Sequence, residues 1–536
     1  VARASVVAGF LAATLSARAQ IPLTGEIRVN TYTSFDQRRP RIAADSNGGF
    51  VILWDSQNQD GSSNGVYAQR FDRSVAPFGP ELAVNGFTTN LQRRPSVATI
   101  PNGTFVAAWE STAQDGGSAG AFSRRFDFAG FPYGSEFKVN TFTTGPQFYS
   151  AIASDTAGGF VVAWGSVSQD GSQGGIFGQR FSSNGSSLGP EFSINTYTTV
   201  VQGLPNVAMN AAGDFVVVWA SSPGGAGNPS QDGDLGGIFG QRFTSSGAKA
   251  GGEFRVNSTT TFYQIFPDVA ADPAGNFVVV WTSLYLDGNY SGIFGQRYTS
   301  AGAPLGDEFR VNDATTDAQD RARVASDAAG NFVVVWETSS ASNNDVFGRR
   351  FASTGAPLGG DFQANTYTTV ALLNYPAIAS DSAGNFVVTW DRMSMSATSF
   401  DIFARRYCPP LSTVAAGVAS GSTQFCPGGT GGTAAVIDTG GATVTHQWGY
   451  RTVSGGMTIS PIPGETGKMY VMKAGDFPGN GTFYLVCTTT PSCCPTPPSC
   501  GGSAMTSNEI TVMIGDGAPP VVAAPGASTL TQSLCQ

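Results

Sequence analysis

The chain has 536 residues, 41% hydrophobic and only 12% charged, with 69 glycines and a formal net charge of -9. That length leaves room for several domains, and a Gly-rich, small-polar composition suits an all-β protein with many tight turns better than a helical one. The acidic balance argues against nucleic acid, which needs clustered Lys and Arg for phosphate contacts. Cations and neutral sugars remain compatible partners, as does a solvated acidic surface with no partner.

The N-terminal stretch reads as an address. Arg3 precedes apolar residues 6–15, and Ser16-Ala17-Arg18-Ala19-Gln20 follows with small residues in the A-x-A cleavage pattern. Residues 1–19 are therefore expected to be the remnant of a secretory signal peptide, too short to span a bilayer. The expected location is secreted or cell-surface, with no membrane span.

Seven tryptophans, at 54, 109, 164, 219, 281, 336 and 390, then recur at steps of 55, 55, 55, 62, 55 and 54 residues. A repeat of about 40 to 50 residues holding several short strands reads as a propeller blade. In the unit at 253–300, Glu253-Phe254-Arg255-Val256-Asn257 alternates polar and apolar, as a half-buried strand does. Pro267-Asp268-Val269-Ala270-Ala271 is a second strand, and Asp272-Pro273-Ala274-Gly275-Asn276 a hairpin turn. Phe277-Val278-Val279-Val280 does not alternate, so both its faces should be buried. Ile293-Phe294-Gly295-Gln296-Arg297-Tyr298 is the next strand.

The fold expected over 20–407 is an all-β, seven-bladed propeller with four strands per blade. The last unit ends at Tyr407 with no strand like Glu253 to Asn257 after it. The first such strand, Glu26 to Asn30, precedes any complete unit. It should therefore complete the final blade beside 402–407, removing open sheet edges.

Repeated residues invite scaffold readings first. An Arg precedes the last aromatic of each third strand (Arg70, Arg125, Arg180, Arg242, Arg297, Arg350 and Arg406), which suggests a structural bond to a hairpin Asp or a backbone carbonyl. A Gln stands seven residues after the closing Asn in six units (Gln37, Gln92, Gln147, Gln202, Gln264 and Gln319), with Leu372 in the seventh. A buried amide tying neighbouring blades accounts for it.

The loops after each Trp are the ligand-binding candidates, through Asp60, Asp115, Asp170, Asp232 and Asp287, on one rim with the connector tyrosines Tyr32, Tyr197 and Tyr367. Plain Asp-Gly turn chemistry is the competing reading. Calcium takes about six to eight oxygen ligands, so one Asp per loop falls short unless carbonyls help. No cofactor is expected beyond that calcium option. Unit four carries about seven extra residues around 223–229.

Catalysis has little sequence support. The only His is His446, outside the repeats, so the ring holds no His-based triad or base. Carboxylate chemistry stays open, although nearly every acidic residue occupies a repeated position. The Asp-x-x-Gly-x-Phe turn resembles the Asp-box of sialidases, itself a structural hairpin.

Composition shifts at Cys408-Pro409-Pro410. Cys426, Trp448 and Cys487 have the order and rough spacing of an immunoglobulin-type sandwich, expected over 408–515. That resemblance implies a Cys426–Cys487 disulfide, with Cys408, Cys493, Cys494, Cys500 and Cys535 unassigned. Residues 516–536 are expected to be a linker and the start of a truncated further module, because Thr531-Gln532-Ser533-Leu534-Cys535 echoes Ser422-Thr423-Gln424-Phe425-Cys426.

Runs such as Gly292-Ile293-Phe294-Gly295-Gln296-Arg297 and Asn331-Phe332-Val333-Val334-Val335-Trp336 resemble repeats of secreted bacterial seven-bladed propeller proteins with appended immunoglobulin-like modules. The resemblance implies an extracellular multidomain protein and supplies no catalytic motif. The leading expectation is a non-enzymatic binding or adhesion protein, monomeric, presenting one rim to an extracellular glycan or protein. The alternatives are a carbohydrate-active enzyme, hydrolase or lyase, using Asp and Glu, and a structural surface protein without a small ligand. Two non-repeated carboxylates in one pocket would favour the enzyme.

Overall fold

The computed structural model describes residues 22–407, apart from 172, 224–228, 289, 341–343, 367–371 and 394–398, and beyond these mainly strand backbone between 414 and 514. Every regular element among the described residues is a β-strand, and none is a helix long and apolar enough to cross a membrane. The repeats form four-stranded antiparallel sheets of the kind found in β-propellers.

In the first unit the strands are Gln37–Ala44, Phe50–Gln57, Asn64–Phe71 and Leu82–Ala83, paired in chain order from the inner edge outward. Units five and six are joined into one sheet only by the parallel pair Ser291 and Ala318. In unit seven the outer place is taken by Ile27–Arg28, with Ile27 opposite Ala404 and Arg28 opposite Phe403. The N-terminal strand thus lies beside residues 402–407, as its position in the repeat requires. The inner strands of units one and seven also pack on each other.

The second strands explain why the sheets stack. Phe277–Leu284 is buried at seven of eight positions, so both faces of the ribbon meet protein. Each apolar cluster joins two adjacent units. Val51, Leu53, Val66 and Ala68 of the first pack on Phe105, Ala107, Trp109 and Phe122 of the second. Trp54 and Phe71 meet Ala377, Val387, Ile402 and Ala404 of the seventh through the same geometry. Each unit Trp is at most 1% exposed, and truncating such a side chain costs about 3–5 kcal/mol.

Polar repeats tie the units together. The closing Asn accepts a hydrogen bond from a third-strand amide in every unit, for instance Asn257 Oδ1 from Ile238 N at 2.7 Å and Asn30 Oδ1 from Ile402 N at 2.7 Å. Asn140 and Asn257 donate in turn to Gln147 and Gln264 of the following unit. These glutamines are the expected buried amides. In unit seven the equivalent place belongs to Leu373, opposite Arg392 as Gln37 is opposite Ser56, and not to the exposed Leu372. The recurrent arginines donate to backbone carbonyls of the neighbouring unit, Arg70 to Phe128, Arg242 to Ser300 and Arg406 to Gly48.

Inner strands are longer than the sequence suggests. The strand expected at 267–271 runs over Gln264–Ala271, interrupted by a bulge between Ile265 and Asp268. Beyond residue 407, Trp448 stands directly opposite Cys487 in paired strands. Cys426, Cys408, Cys493, Cys494, Cys500 and Cys535 lie outside the described residues, and so does the segment 224–228 of the unit-four insertion.

The N-terminal strand paired with unit seven gives the first test. Asn30→Ala removes the bonds to Ile402 N and to Asp401, both buried. Stability should fall by about 1–3 kcal/mol, read from the urea midpoint of tryptophan fluorescence. An unchanged midpoint would mean that the clasp does not hold the repeats closed.

Candidate functional site

The inner strands surround a cavity of about 510 Å³ on the axis of the repeats. Its mouth is built by one recurrent irregularity. Between the two paired segments of each inner strand the register shifts, as between Arg38 and Arg41 or Asp320 and Arg323. A bulge re-aims a side chain, and here one residue per unit takes a left-handed conformation. These are Arg39, Arg94, Tyr149, Leu204, Phe266, Arg321 and Tyr375, with φ between 51° and 56°. All seven line the cavity. A Pro follows in five units (Pro40, Pro95, Pro205, Pro267 and Pro376). It fits because the ladder is already interrupted there and its missing N–H goes unused.

The residue after each unit Trp stands behind this ring, and it differs around the circle: Asp55, Glu110, Gly165, Ala220, Thr282, Glu337 and Asp391. Four carboxylates therefore occupy the arc of units six, seven, one and two. Each accepts an amide of the next unit. Arg94 N donates to Asp55 at 2.8 Å, Tyr149 N to Glu110 at 2.6 Å, Tyr375 N to Glu337 at 3.0 Å and Arg39 N to Asp391 at 3.1 Å. In unit five the Thr282 hydroxyl takes that place, accepting from Arg321 N at 3.1 Å.

Ion pairs complete the arc. Arg39 meets Asp55 at 3.0 Å, Arg93 and Arg94 meet Glu110 at 3.1 Å, Arg38 meets Asp391 at 3.5 Å, and Arg321 pairs with Glu337. The carboxylates are 0–4% exposed and the guanidinium side chains 28–34%. The arrangement therefore presents arginine to the channel and keeps the acids behind. The rings of Tyr149 and Tyr375 lie under Arg94 and Arg321, 4.4 and 4.8 Å from the guanidinium carbons. Leu204 and Phe266 make the opposite arc apolar. Deeper in the cavity, Arg323 meets Asp268 at 3.5 Å, with Arg41, Ser96 and Asn206 at matching positions of other units.

Burial dominates the electrostatics. It pushes Asp55 up to about 6 against the pull of Arg39, and Asp391 up to about 7 against Arg38. Asp268 and Glu337 are raised by the same desolvation, opposed by Arg323 and Arg321.

The rim residues singled out in the sequence lie elsewhere. Asp60 Oδ1 accepts Ser62 N at 3.0 Å and Asp115 Oδ1 accepts Gly117 N at 2.9 Å, both within their own turns. Asp232 accepts the Ser230 hydroxyl at 2.5 Å. Asp170 and Asp287 are half-buried in the corresponding loops, and Tyr32 and Tyr197 are half-buried in their connectors. Tyr367 lies outside the described residues. Beside these loops, Gln59 donates to Glu81, whose other oxygen accepts the amide and hydroxyl of Thr31 in the adjacent unit. The same latch joins Gln231, Glu253 and Thr196. No cluster of three or more His, Cys, Asp or Glu suited to a metal occurs among the described residues.

No family model matches the chain, and a search of curated proteins finds no match. Solved structures similar to it are β-propeller proteins. An α-L-arabinofuranosidase from Fusarium graminearum is 11% identical, covering 72% of this chain and 97% of its own, with a TM-score of 0.40. An α-L-arabinanase from Penicillium chrysogenum is 14% identical over 60% of this chain and 93% of its own, with a TM-score of 0.41. The propeller domain of a protease from Pyrococcus furiosus is 9% identical over 70% and 94%, with a TM-score of 0.40.

The expectation of a non-enzymatic adhesion protein acting through its rim is corrected here. Glycoside hydrolases recur among the similar structures. Within the molecule itself, the unrepeated ionisable side chains gather in the channel, while repeated rim residues bond to one another. Sequence reading missed the channel ring because its residue type varies from unit to unit. The available signal was positional: the second residue after each inner-strand Gln, with Pro following.

The raised carboxyls set a pH signature. A carboxyl whose folded pKa stands above its unfolded value takes up protons on folding, so its stabilising contribution is complete below about pH 4 and is lost as pH rises through the folded pKa. Asp391→Asn should therefore gain melting temperature relative to the unsubstituted protein between pH 4 and 8, levelling off above about 7. The gain is bounded at about 4 kcal/mol. Paired thermal melts across that range read it, and a difference independent of pH would contradict the burial argument.

Proposed function

We propose that this chain is a carbohydrate-active enzyme, a hydrolase or lyase, whose active site is the channel mouth. The observation that carries the reading is the asymmetry of one ring. Arginines, tyrosines and buried carboxylates fill the arc of units six, seven, one and two, with Tyr149 of unit three at its edge, while Leu204 and Phe266 fill the rest. A cavity of about 510 Å³ lies within the range of small-ligand sites. Tyr149, Phe266 and Tyr375 offer ring faces to a sugar, and the guanidinium groups of Arg39, Arg94 and Arg321 offer donors to its oxygens.

Asp268 lines the same cavity, where burial raises its pKa against the opposing charge of Arg323 at 3.5 Å. It is the carboxyl in the cavity lining that can exchange a proton with a glycosidic oxygen. The tyrosine hydroxyls of Tyr149 and Tyr375 are the other groups able to exchange a proton with substrate. Asp55, Glu110, Glu337 and Asp391 are positioning residues that hold the guanidinium groups from behind.

The same reading takes the repeats over 20–407 as a closed seven-bladed propeller, supported by Ile27 opposite Ala404. It takes 408–515 as an immunoglobulin-like spacer, supported by Trp448 opposite Cys487. Residues 1–19 are assigned to export, placing the protein outside the cell, and the molecule is taken as a monomer.

The test is a panel of plant and algal polysaccharides incubated with the intact chain. Reducing ends report hydrolysis, and absorbance at the wavelength of an unsaturated uronate reports elimination. Tyr149→Phe, Tyr375→Phe or Asp268→Asn should lower kcat by about 10²–10⁴-fold on the substrate found. Turnover that survives all three substitutions would remove the chemistry from the channel.

A further inference from the structure

At the channel floor two guanidinium groups face a single carboxylate. At the mouth, Arg39, Arg94 and Arg321 line the cavity and are matched by Asp55, Glu110 and Glu337, while Arg38 and Arg93, outside the lining, pair with Asp391 and Glu110. At the floor, Arg41 and Arg323 share Asp268 alone. Arg323 takes its Oδ1 at 3.5 Å, and Val324 N donates to its Oδ2 at 2.9 Å. Arg41 has no carboxylate within ion-pair distance among the described residues, and its Nη1 donates to the carbonyl of Pro40 at 3.0 Å. The other matching positions carry no charge: Ser96, Ala151, Asn206 and Ala377. The hydroxyls of Ser96 and Ser150 are buried without a partner, and Asn206 is spent on the carbonyl of Pro267.

A second guanidinium beside Arg323 is electrostatically unfavourable. Desolvation, and then the like charge of Arg323, lower Arg41 to about 9, so the folded chain disfavours its charged form. Burying like charges around one acid is costly unless a further anion joins them. Guanidinium groups hold carboxylate and sulfate in paired, charge-assisted hydrogen bonds. In a protein of net charge -9, a cationic floor below an aromatic mouth selects one kind of guest.

We propose that Arg41 and Arg323 form an anion-binding site at the channel floor, and that the saccharide taken by this protein carries a carboxylate or sulfate ester seated there. The assignment of a saccharide rests on the enzymatic reading above. The anion site itself stands on the cavity.

Calorimetry with the intact chain tests it, using trigalacturonic acid, its methyl ester and a sulfated galactan oligosaccharide. At least one charged probe should bind tenfold or more tighter than the ester, and the stronger of the two identifies the anion. Arg41→Met should abolish that preference while leaving the melting temperature unchanged or higher. Salt provides a reading without any variant: affinity for the charged probe should fall steeply with sodium chloride and that for the ester should not. Equal affinity for acid, sulfate and ester, absence of binding by both charged probes, or an Arg41→Met protein that keeps the preference would overturn the proposal. Charged-probe binding without turnover of any polysaccharide would leave the anion site standing and remove the enzyme. Turnover of neutral chains alone would do the reverse.

Discussion

The structure depends on burying both faces of one ribbon. Each second strand, such as Phe277–Leu284, is apolar without alternation and cannot be covered by its own sheet. It needs a neighbour on each side, and only repetition supplies them. Seven units satisfy one another in sequence, and the last satisfies the first through the cluster of Trp54, Phe71, Val387 and Ile402. Removing about 1.5–3 kcal/mol worth of apolar side chain from water at each such position outweighs the weak preferences of the loops. Everything on the rims and the axis is positioned as a consequence.

Stacking sheets in this way brings the inner strands together, where backbone cannot approach further without a device for turning side chains. The bulge with its left-handed residue is that device. Its recurrence at Leu204 and Phe266, as well as at the arginines and tyrosines, shows that the conformation belongs to the scaffold. What varies is the side chain presented. The division of labour follows: positions fixed in every unit, such as the closing Asn and the clamping Arg, bond to neighbouring units. Positions free to vary at the axis carry the unlike, ionisable side chains.

The electrostatic design has the same logic. Carboxylates at 0–4% exposure would be prohibitively costly alone, and each is met by a backbone amide of the next unit and a guanidinium. The arginines are thereby fixed with their open sides toward the cavity, rigid enough to orient a guest with little further loss of side-chain freedom. The molecule is acidic as a whole, yet the side chains that line this cavity are mostly arginine among its ionisable groups. Overall charge is thus no guide to the groups that line one cavity.

The sequence by itself determined the repeat, the strand order within it, the doubly buried ribbon and the pairing of the first strand beside residue 407. Those follow from local periodicity, and periodicity is written along the chain. It also marked Gln37 and its equivalents as buried ties, missing only the one-residue shift that puts Leu373 in the seventh place. Tertiary structure alone decided where the unlike residues meet. Asp55, Arg94 and Glu110 are far apart in sequence and become one network only when units one and two stack. The rim loops looked functional because exposed loops on a rigid frame present binding surfaces, yet Gln59, Glu81 and Thr31 are occupied with one another across a unit boundary. Repetition along a chain records what neighbours demand of each other; the differences gather around the axis, and only the stacking of the units brings them together.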